Sequence, residues 1–236
     1  QWVLDAFASG RDIYVETAKR LGSKPDGEGY TRQEGKTATL ALGYQGALGS
    51  MPAMGATGSE SELLALVARW REANPRIVAL WREIEDKFWS GGDVGELLHV
   101  TRSGRDRLIR LPSGRELVYH GVAKRRVRKK RDDGTTYERD ELSFIAPLPN
   151  APRVSTYGGR LTENVTQAVA RDVLAHALVR LEREGYRVVG HVHDEVLIEG
   201  AHDVADVARV MCADVGWNNG LPLDAAGYTT QRYRKE

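Results

Sequence analysis

Val188-Val189-Gly190-His191-Val192-His193-Asp194-Glu195-Val196-Leu197-Ile198-Glu199 sets an acidic pair between two short β-branched runs. The stretch reads as two strands meeting at a charged tip. Val188–Val189 and Val196–Ile198 have the composition of buried strands. Three ionisable residues, His193, Asp194 and Glu195, would be costly to hide unpaired between them. Carboxylates at the end of a rigid hairpin suit a hard cation such as Mg²⁺, which takes oxygen ligands and keeps several waters. A plain polar turn fits the same stretch, so its neighbours must decide.

The chain has 236 residues, 41% hydrophobic and 28% charged, enough for a sizeable core in one or two domains. No long apolar run reads as a membrane span, and Gln1-Trp2-Val3-Leu4-Asp5 has neither the basic start nor the apolar core of a signal peptide. A cytoplasmic location is expected. The chain opens on Gln1 without a Met, which suggests a fragment or a processed product. The single cysteine, Cys212, excludes an internal disulfide and a cysteine zinc site. Net charge is only +1, yet Lys124-Arg125-Arg126-Val127-Arg128-Lys129-Lys130-Arg131 concentrates cations in one run. That run suits a polyanion. It equally suits a strand edge guarded against aggregation.

In chain order, Trp2–Ala8 and Arg11–Leu21 carry apolar residues at helical spacing, with Ser9-Gly10 as a stop between them. Ser23–Gly29 reads as a loop, after which Thr31 and Glu34 have the spacing of a capping box for a helix over Arg32–Leu42. Arg32, Lys36, Leu40 and Tyr44 recur every four residues and share one slowly drifting face. Two cations followed by an apolar or flat surface would suit a triphosphate at one end and a sugar or base at the other. An amphipathic surface helix gives the same pattern. Gly43, Gly46, Gly49, Gly55 and Gly58 then leave room for another backbone, or form plain loop.

Ser61–Ala73 and Asn74–Trp89 are amphipathic helices, with Leu63, Leu64, Val67, Trp70, Ile77, Leu80, Trp81, Ile84 and Phe88 expected inside. From Gly91 the period changes to two. One hairpin pairs Arg107–Leu111 with Glu116–Tyr119, and a second pairs Lys124–Arg131 with Tyr137–Phe144 across Asp132-Asp133-Gly134. The second would lay its cations along a ribbon suited to a phosphate backbone. Leu161–Glu184 resumes a long helix that exposes Glu163, Asn164, Gln167 and Arg171, and Gly185 ends it. Val204–Val215 reads as a last helix and Leu221–Tyr233 as an extended tail.

This order of features resembles the family A DNA polymerases, the DNA polymerase I family, in a phage-like form. Arg32-x3-Lys36-x3-Leu40-x3-Tyr44 is similar to the family's motif B on the fingers helix. His193-Asp194-Glu195 between hydrophobic strands is similar to its motif C in the palm, and Gln167 matches a glutamine placed near the template-primer minor groove. The resemblance implies that Asp194 binds catalytic Mg²⁺ in a two-ion site, with Glu195 supporting it. It implies that Arg32 and Lys36 contact the phosphates of the incoming nucleotide, that Tyr44 sits by the nascent pair, and that His193 lies near the primer terminus. Lys124, Arg125, Arg126, Arg128, Lys129 and Lys130 join Gln167 and His193 as expected DNA contacts.

The sequence departs from the family pattern in three places. Leu40 stands where Phe or Tyr is usual, so ring stacking on the sugar gives way to apolar contact. Tyr14 stands where many relatives have a phosphate-contacting His. Motif A, which carries the second metal-binding Asp, would lie upstream of Gln1. The expected partners are therefore primer-template DNA, dNTPs, and a second polypeptide or N-terminal segment with motif A, the thumb and any exonuclease.

The implied fold is α+β: helical fingers over residues 1–90, a hairpin-rich basic insertion over 91–150, and part of an antiparallel-sheet palm over 151–236. A non-catalytic nucleic-acid-binding subunit is the runner-up. A metallohydrolase using His191, His193 and Asp194 ranks third, because alternation sets the two histidines on one side of a strand and Asp194 on the other.

Overall fold

Ser9-Gly10 breaks the first helical run, Gly10 taking φ 66°, and leaves α1 (Trp2–Ala8) and α2 (Ile13–Leu21). The structure is a computed structural model; it describes residues 2–24, 27–130, 135–218 and 220–233. The Ser23–Gly29 loop closes on a bridge between its end residues, while residues 25 and 26 lie outside the described set. The expected capping box starts α3 (Arg32–Leu42): Thr31 Oγ1 accepts from Glu34 N and a Glu34 oxygen accepts from Thr31 N. Two short 3₁₀ turns, Leu48–Ser50 and Pro52–Met54, lead to α4 (Glu60–Ala73), which Ser59 and Glu62 cap in the same way. Pro75 opens α5 (Pro75–Ser90).

The chain divides into two compact units, residues 1–165 and 166–236. In the first, α2 to α5 surround a core that includes Leu21, Ala38, Leu42, Met51, Leu63, Val67, Trp70 and Trp81, with Trp70 and Trp81 stacked at 6.0 Å. Leu64, expected inside, is exposed, and Leu66 takes the inward position. Leu63, Leu66, Val67 and Trp70 form a tighter i, i+3, i+4, i+7 stripe, from which Leu64 is rotated by a full residue step.

The two expected hairpins are parts of one six-stranded antiparallel sheet in sequential order. Its strands are β1 (Gly92–Val94), β2 (Leu98–Ser103), β3 (Asp106–Arg110), β4 (Glu116–Lys130), β5 (Thr136–Ile145) and β6 (Arg153–Thr156). β4 pairs with β3 through its first half and with β5 through its second, across a register shift between His120 and Ala123. Gly121 sits there at φ 58°, and its N–H donates to Asp106 Oδ1 at 2.8 Å. The bulge turns two hairpins into one continuous strand. The expected turn at Asp132-Asp133-Gly134, with Arg131, lies outside the described residues.

Arg107, on β3, is buried and caps the end of α5, its Nε donating to Phe88 O at 2.9 Å and Nη2 to Trp89 O at 3.3 Å. Tyr119 lies edge-on between Phe88 and Phe144, each ring centroid 5.0 Å away. Asn164, expected to be exposed, is half-buried and donates to Tyr119 Oη at 2.9 Å. Burial raises the Tyr119 phenol, and the Asn164 bond offsets part of that.

Asn164 belongs to α6 (Gly158–Arg183), which continues into the second unit. That unit holds the ribbon of β7 (Arg187–Val192) and β8 (Glu195–Glu199), then α7 (Val204–Met211), shorter than expected at its C-terminal end. Leu174, Ala177, Leu181 and Val210 are buried. Arg180 closes the end of α7 by donating to the carbonyls of Val210, Ala213 and Asp214 at 2.8–3.0 Å. Residues 221–233 form no helix or strand. The strands at the tip are less buried than their composition suggests: Val189 is 58% exposed and Val196–Ile198 are half-buried. Among the described residues β7 and β8 pair only with each other, so no third strand covers their flank.

Thus the sequence folds as α+β, with no helix among the described residues long and apolar enough to cross a membrane. A close backbone approach between α2 and α3 falls at Gly35, where an added Cβ would lie 2.1 Å from Tyr14 O. Gly35→Ala should therefore force α2 and α3 apart and cost about 1–3 kcal/mol, read as a lower denaturant midpoint. Unchanged stability would mean that the two helices are not held together at this point.

Candidate functional site

The candidate residues form separate groups, described in turn. The first is built on α3. Its buried side, Gly35, Thr37, Ala38, Ala41 and Leu42, faces the core, so the stripe of Arg32, Lys36 and Leu40 faces outward. α2 holds the flank of that stripe, with Gly35 against the Tyr14 carbonyl and Thr39 Oγ1 bonded to Thr17 Oγ1 at 3.2 Å. This brings Tyr14 beside both cations: its ring centroid is 5.3 Å from Arg32 Cζ and 5.9 Å from Lys36 Nζ. Arg32 Nε donates to Asp12 Oδ2 at 2.7 Å. No carboxylate pairs with Lys36 among the described residues. Leu40 is 48% exposed, which leaves its apolar surface open.

At the base of the stripe, burial pushes the Glu34 carboxyl up, and bonds from Lys24 and Thr31 outweigh it and hold it below the usual range. At the far end, Tyr44 lies in the turn after α3 and is half-buried. Its backbone is fixed from two sides. Trp81 Nε1 donates to Gly43 O at 3.2 Å, and Gln45, at φ 65°, accepts from Gly159 N at 2.8 Å. Glu85 accepts from Gly158 N at 2.8 Å. A Cβ at Gly158 would lie 1.9 Å from Trp81 O and one at Gly159 would lie 2.2 Å from Tyr44 O, so the start of α6 admits only glycine there.

The second group is the β7–β8 tip. Val192 pairs with Glu195, so His193 and Asp194 make a two-residue turn, with His193 at φ 54°. A left-handed His is uncommon but within the range of non-glycine residues that tolerate it. His193 and Asp194 are exposed, while Glu195 is half-buried and accepts from Tyr233 Oη at 3.0 Å. That bond, with burial and the carboxylate's charge, raises the Tyr233 phenol. No group of three or more His, Cys, Asp and Glu among the described residues could hold a metal ion, so His191, His193 and Asp194 do not form the cluster a metallohydrolase would use. Gln167 is exposed on α6.

The third group is the outer half of β4. Lys124, Arg126 and Arg128 each reach diagonally across to β5: Lys124 to Asp140 at 3.4 Å, Arg126 to Glu138 at 3.0 Å, Arg128 to Thr136 Oγ1 at 3.1 Å. On the opposite face Lys129 meets Glu141 at 2.9 Å, and Arg139 shares that carboxylate. Their bonds hold the Glu141 carboxyl below its usual range, Lys129 contributing most. Arg125 and Lys130 have no carboxylate partner among the described residues. The cations do lie along a ribbon, as expected, but Lys124, Arg126 and Lys129 are already paired with β5 carboxylates and Arg128 with a β5 hydroxyl.

Three residues escaped the sequence reading. Asp12 carries a legible signal, an Asp just before an apolar-periodic run, and it is indeed the N-cap of α2. Gln45 and Tyr233 carry none, because their partners are remote in sequence.

No protein-family profile matches the chain. Over its whole length the chain is similar to the DNA polymerase of Bacillus phage SP02, at 36% identity over 256 aligned residues. It spans 38% of the length of that relative.

Proposed function

We propose that this chain is the fingers and C-terminal palm portion of a family A DNA-directed DNA polymerase that adds dNTPs to a primer 3′ end. The observation that carries this reading is the whole-chain likeness to a phage DNA polymerase. The open stripe of α3 supports it, since two cations followed by an apolar surface match the order of a triphosphate and its sugar. In this role Arg32 and Lys36 neutralise and orient the phosphates, with the Tyr14 ring limiting where the two cations can point. Leu40 offers apolar contact to the sugar, and Tyr44 stands by the nascent pair. His193 lies near the primer terminus, Gln167 in the minor groove, and Lys124, Arg125, Arg126, Arg128, Lys129 and Lys130 along the phosphate backbone.

Asp194 supplies a hard, exposed oxygen donor of the type Mg²⁺ takes, and Glu195 stands beside it on the chain. Bound there, Mg²⁺ would supply charge stabilisation at the transferring phosphoryl group. Among the described residues no group of three or more His, Cys, Asp and Glu surrounds this donor, so in this reading the second carboxylate comes from elsewhere, on further sequence of the same protein or on another polypeptide that also carries the thumb.

Primer extension with Mg²⁺, by this chain with and without that remaining sequence, tests the proposal. Extension should require both, and robust extension by the chain alone would overturn the need for a second carboxylate. In the completed enzyme, Asp194→Asn should abolish incorporation while primer-template binding persists, because it removes charge with little change of shape. Normal incorporation by that variant would remove Asp194 from the metal site. Lys36→Ala should weaken triphosphate use about 10- to 150-fold, the range for a charge-assisted contact of about 1.5–3 kcal/mol, with primer-template binding nearly unchanged. Equal losses in both would make Lys36 a DNA contact.

A further inference from the structure

Asp12 divides its carboxylate between two tasks. Oδ1 accepts from Tyr14 N at 2.8 Å and Val15 N at 3.1 Å, which caps α2, and Oδ2 accepts from Arg32 Nε at 2.7 Å on α3. The cap fixes the carboxylate plane, and the plane then fixes the guanidinium. The Tyr14 ring lies beside the same guanidinium. Only Nε is bonded, and the two terminal nitrogens of Arg32 have no partner among the described residues.

We propose that Asp12 is a positioning residue that anchors Arg32 through one nitrogen and leaves the terminal pair presented to the phosphates of a nucleoside triphosphate. The inference rests on the polymerase role given to the α3 stripe. A long arginine side chain sampling solvent would lose its rotamer freedom on meeting phosphate, and Asp12 removes part of that loss beforehand. Guanidinium groups bind phosphate best through two parallel N–H bonds, and an Nε anchor keeps the terminal pair available for them. The Arg32 bond, then the Val15 N–H, holds the Asp12 carboxyl below the usual carboxylate range. A depressed value keeps the contribution of the pair in place above the ordinary carboxylate pKa, to be lost only as pH falls through the lowered value. The anchor is therefore charged throughout the neutral range.

An N-cap with no role beyond α2 is the competing explanation, and two substitutions separate them. Asp12→Asn and Asp12→Ser both keep a good cap. Asn loses the charge and Ser is too short to reach Arg32. Calorimetric titration of the full chain with dTTP, alongside thermal unfolding, should show at most the small fall in unfolding temperature that loss of an exposed ion pair brings, and about tenfold weaker binding for both, within the coupling seen between contacting residues. In an Arg32→Ala background neither substitution should weaken binding further. Undiminished dTTP affinity in both variants, or equal losses with and without Arg32, would overturn the positioning role and leave Asp12 a cap. If the unaltered chain fails to bind dTTP, or Arg32→Ala binds it normally, the nucleotide role of α3 falls, and the inference with it.

Discussion

The backbone contact between α2 and α3 at Gly35 is the constraint on which the cationic face depends. With no Cβ in the way, the Tyr14 carbonyl reaches the α3 backbone, and the same approach brings the Tyr14 ring and the Asp12 carboxylate alongside Arg32. Thr17 and Thr39 add a hydroxyl pair next to the contact. Behind it, Ala38 and Leu42 are completely buried, so the helix cannot rotate without opening the core. A loop could offer the same two cations, but not at fixed separation from one ring. The fold thus converts a four-residue repeat into a surface with defined spacing.

Backbone contacts of this kind recur where the chain changes structure. At the end of α3, the Tyr44 carbonyl is met by Gly159 and the Trp81 carbonyl by Gly158. The polar partners there, Gln45 and Glu85, supply acceptors to the free N–H groups at the start of α6, which would otherwise lack them. The turn after α3 and the first turn of α6 are therefore one joint, built from residues more than a hundred positions apart.

How much was legible in the sequence follows from which interactions are local. The capping box of Thr31 and Glu34, the stop at Ser9-Gly10, the stripe of α5, that of α4 apart from Leu64, and the Asp194 tip all depend on neighbours within a few residues, and each is present. The single sheet was not legible, because the join between its hairpins rests on the bulge at Gly121 and its bond to Asp106, which no periodicity records. Nor was the buried Arg107 within a strand, since its partners are carbonyls at the end of a helix. In the candidate site the cations and carboxylates could be named from spacing. What holds them, Asp12 for Arg32 and Tyr233 for Glu195, could be found only in the folded chain, through contacts 20 and 38 residues apart.

The diagonal pairing along β4 and β5 bears on the thermodynamics of any polyanion that meets this ribbon. Bare lysines and arginines release condensed counterions from a nucleic acid, which is the main driving force of such binding and the source of its steep salt dependence. Here Asp140, Glu138 and Glu141 already act as built-in counterions for their neighbours. A phosphate would have to displace a carboxylate that stays tethered close by, so the exchange returns little entropy and leaves an anion beside an anion. The ribbon is consequently a weaker and less salt-sensitive electrostatic surface than its run of cations suggests, with Arg125, Arg128 and Lys130, which have no carboxylate partner among the described residues, left to supply most of its long-range pull.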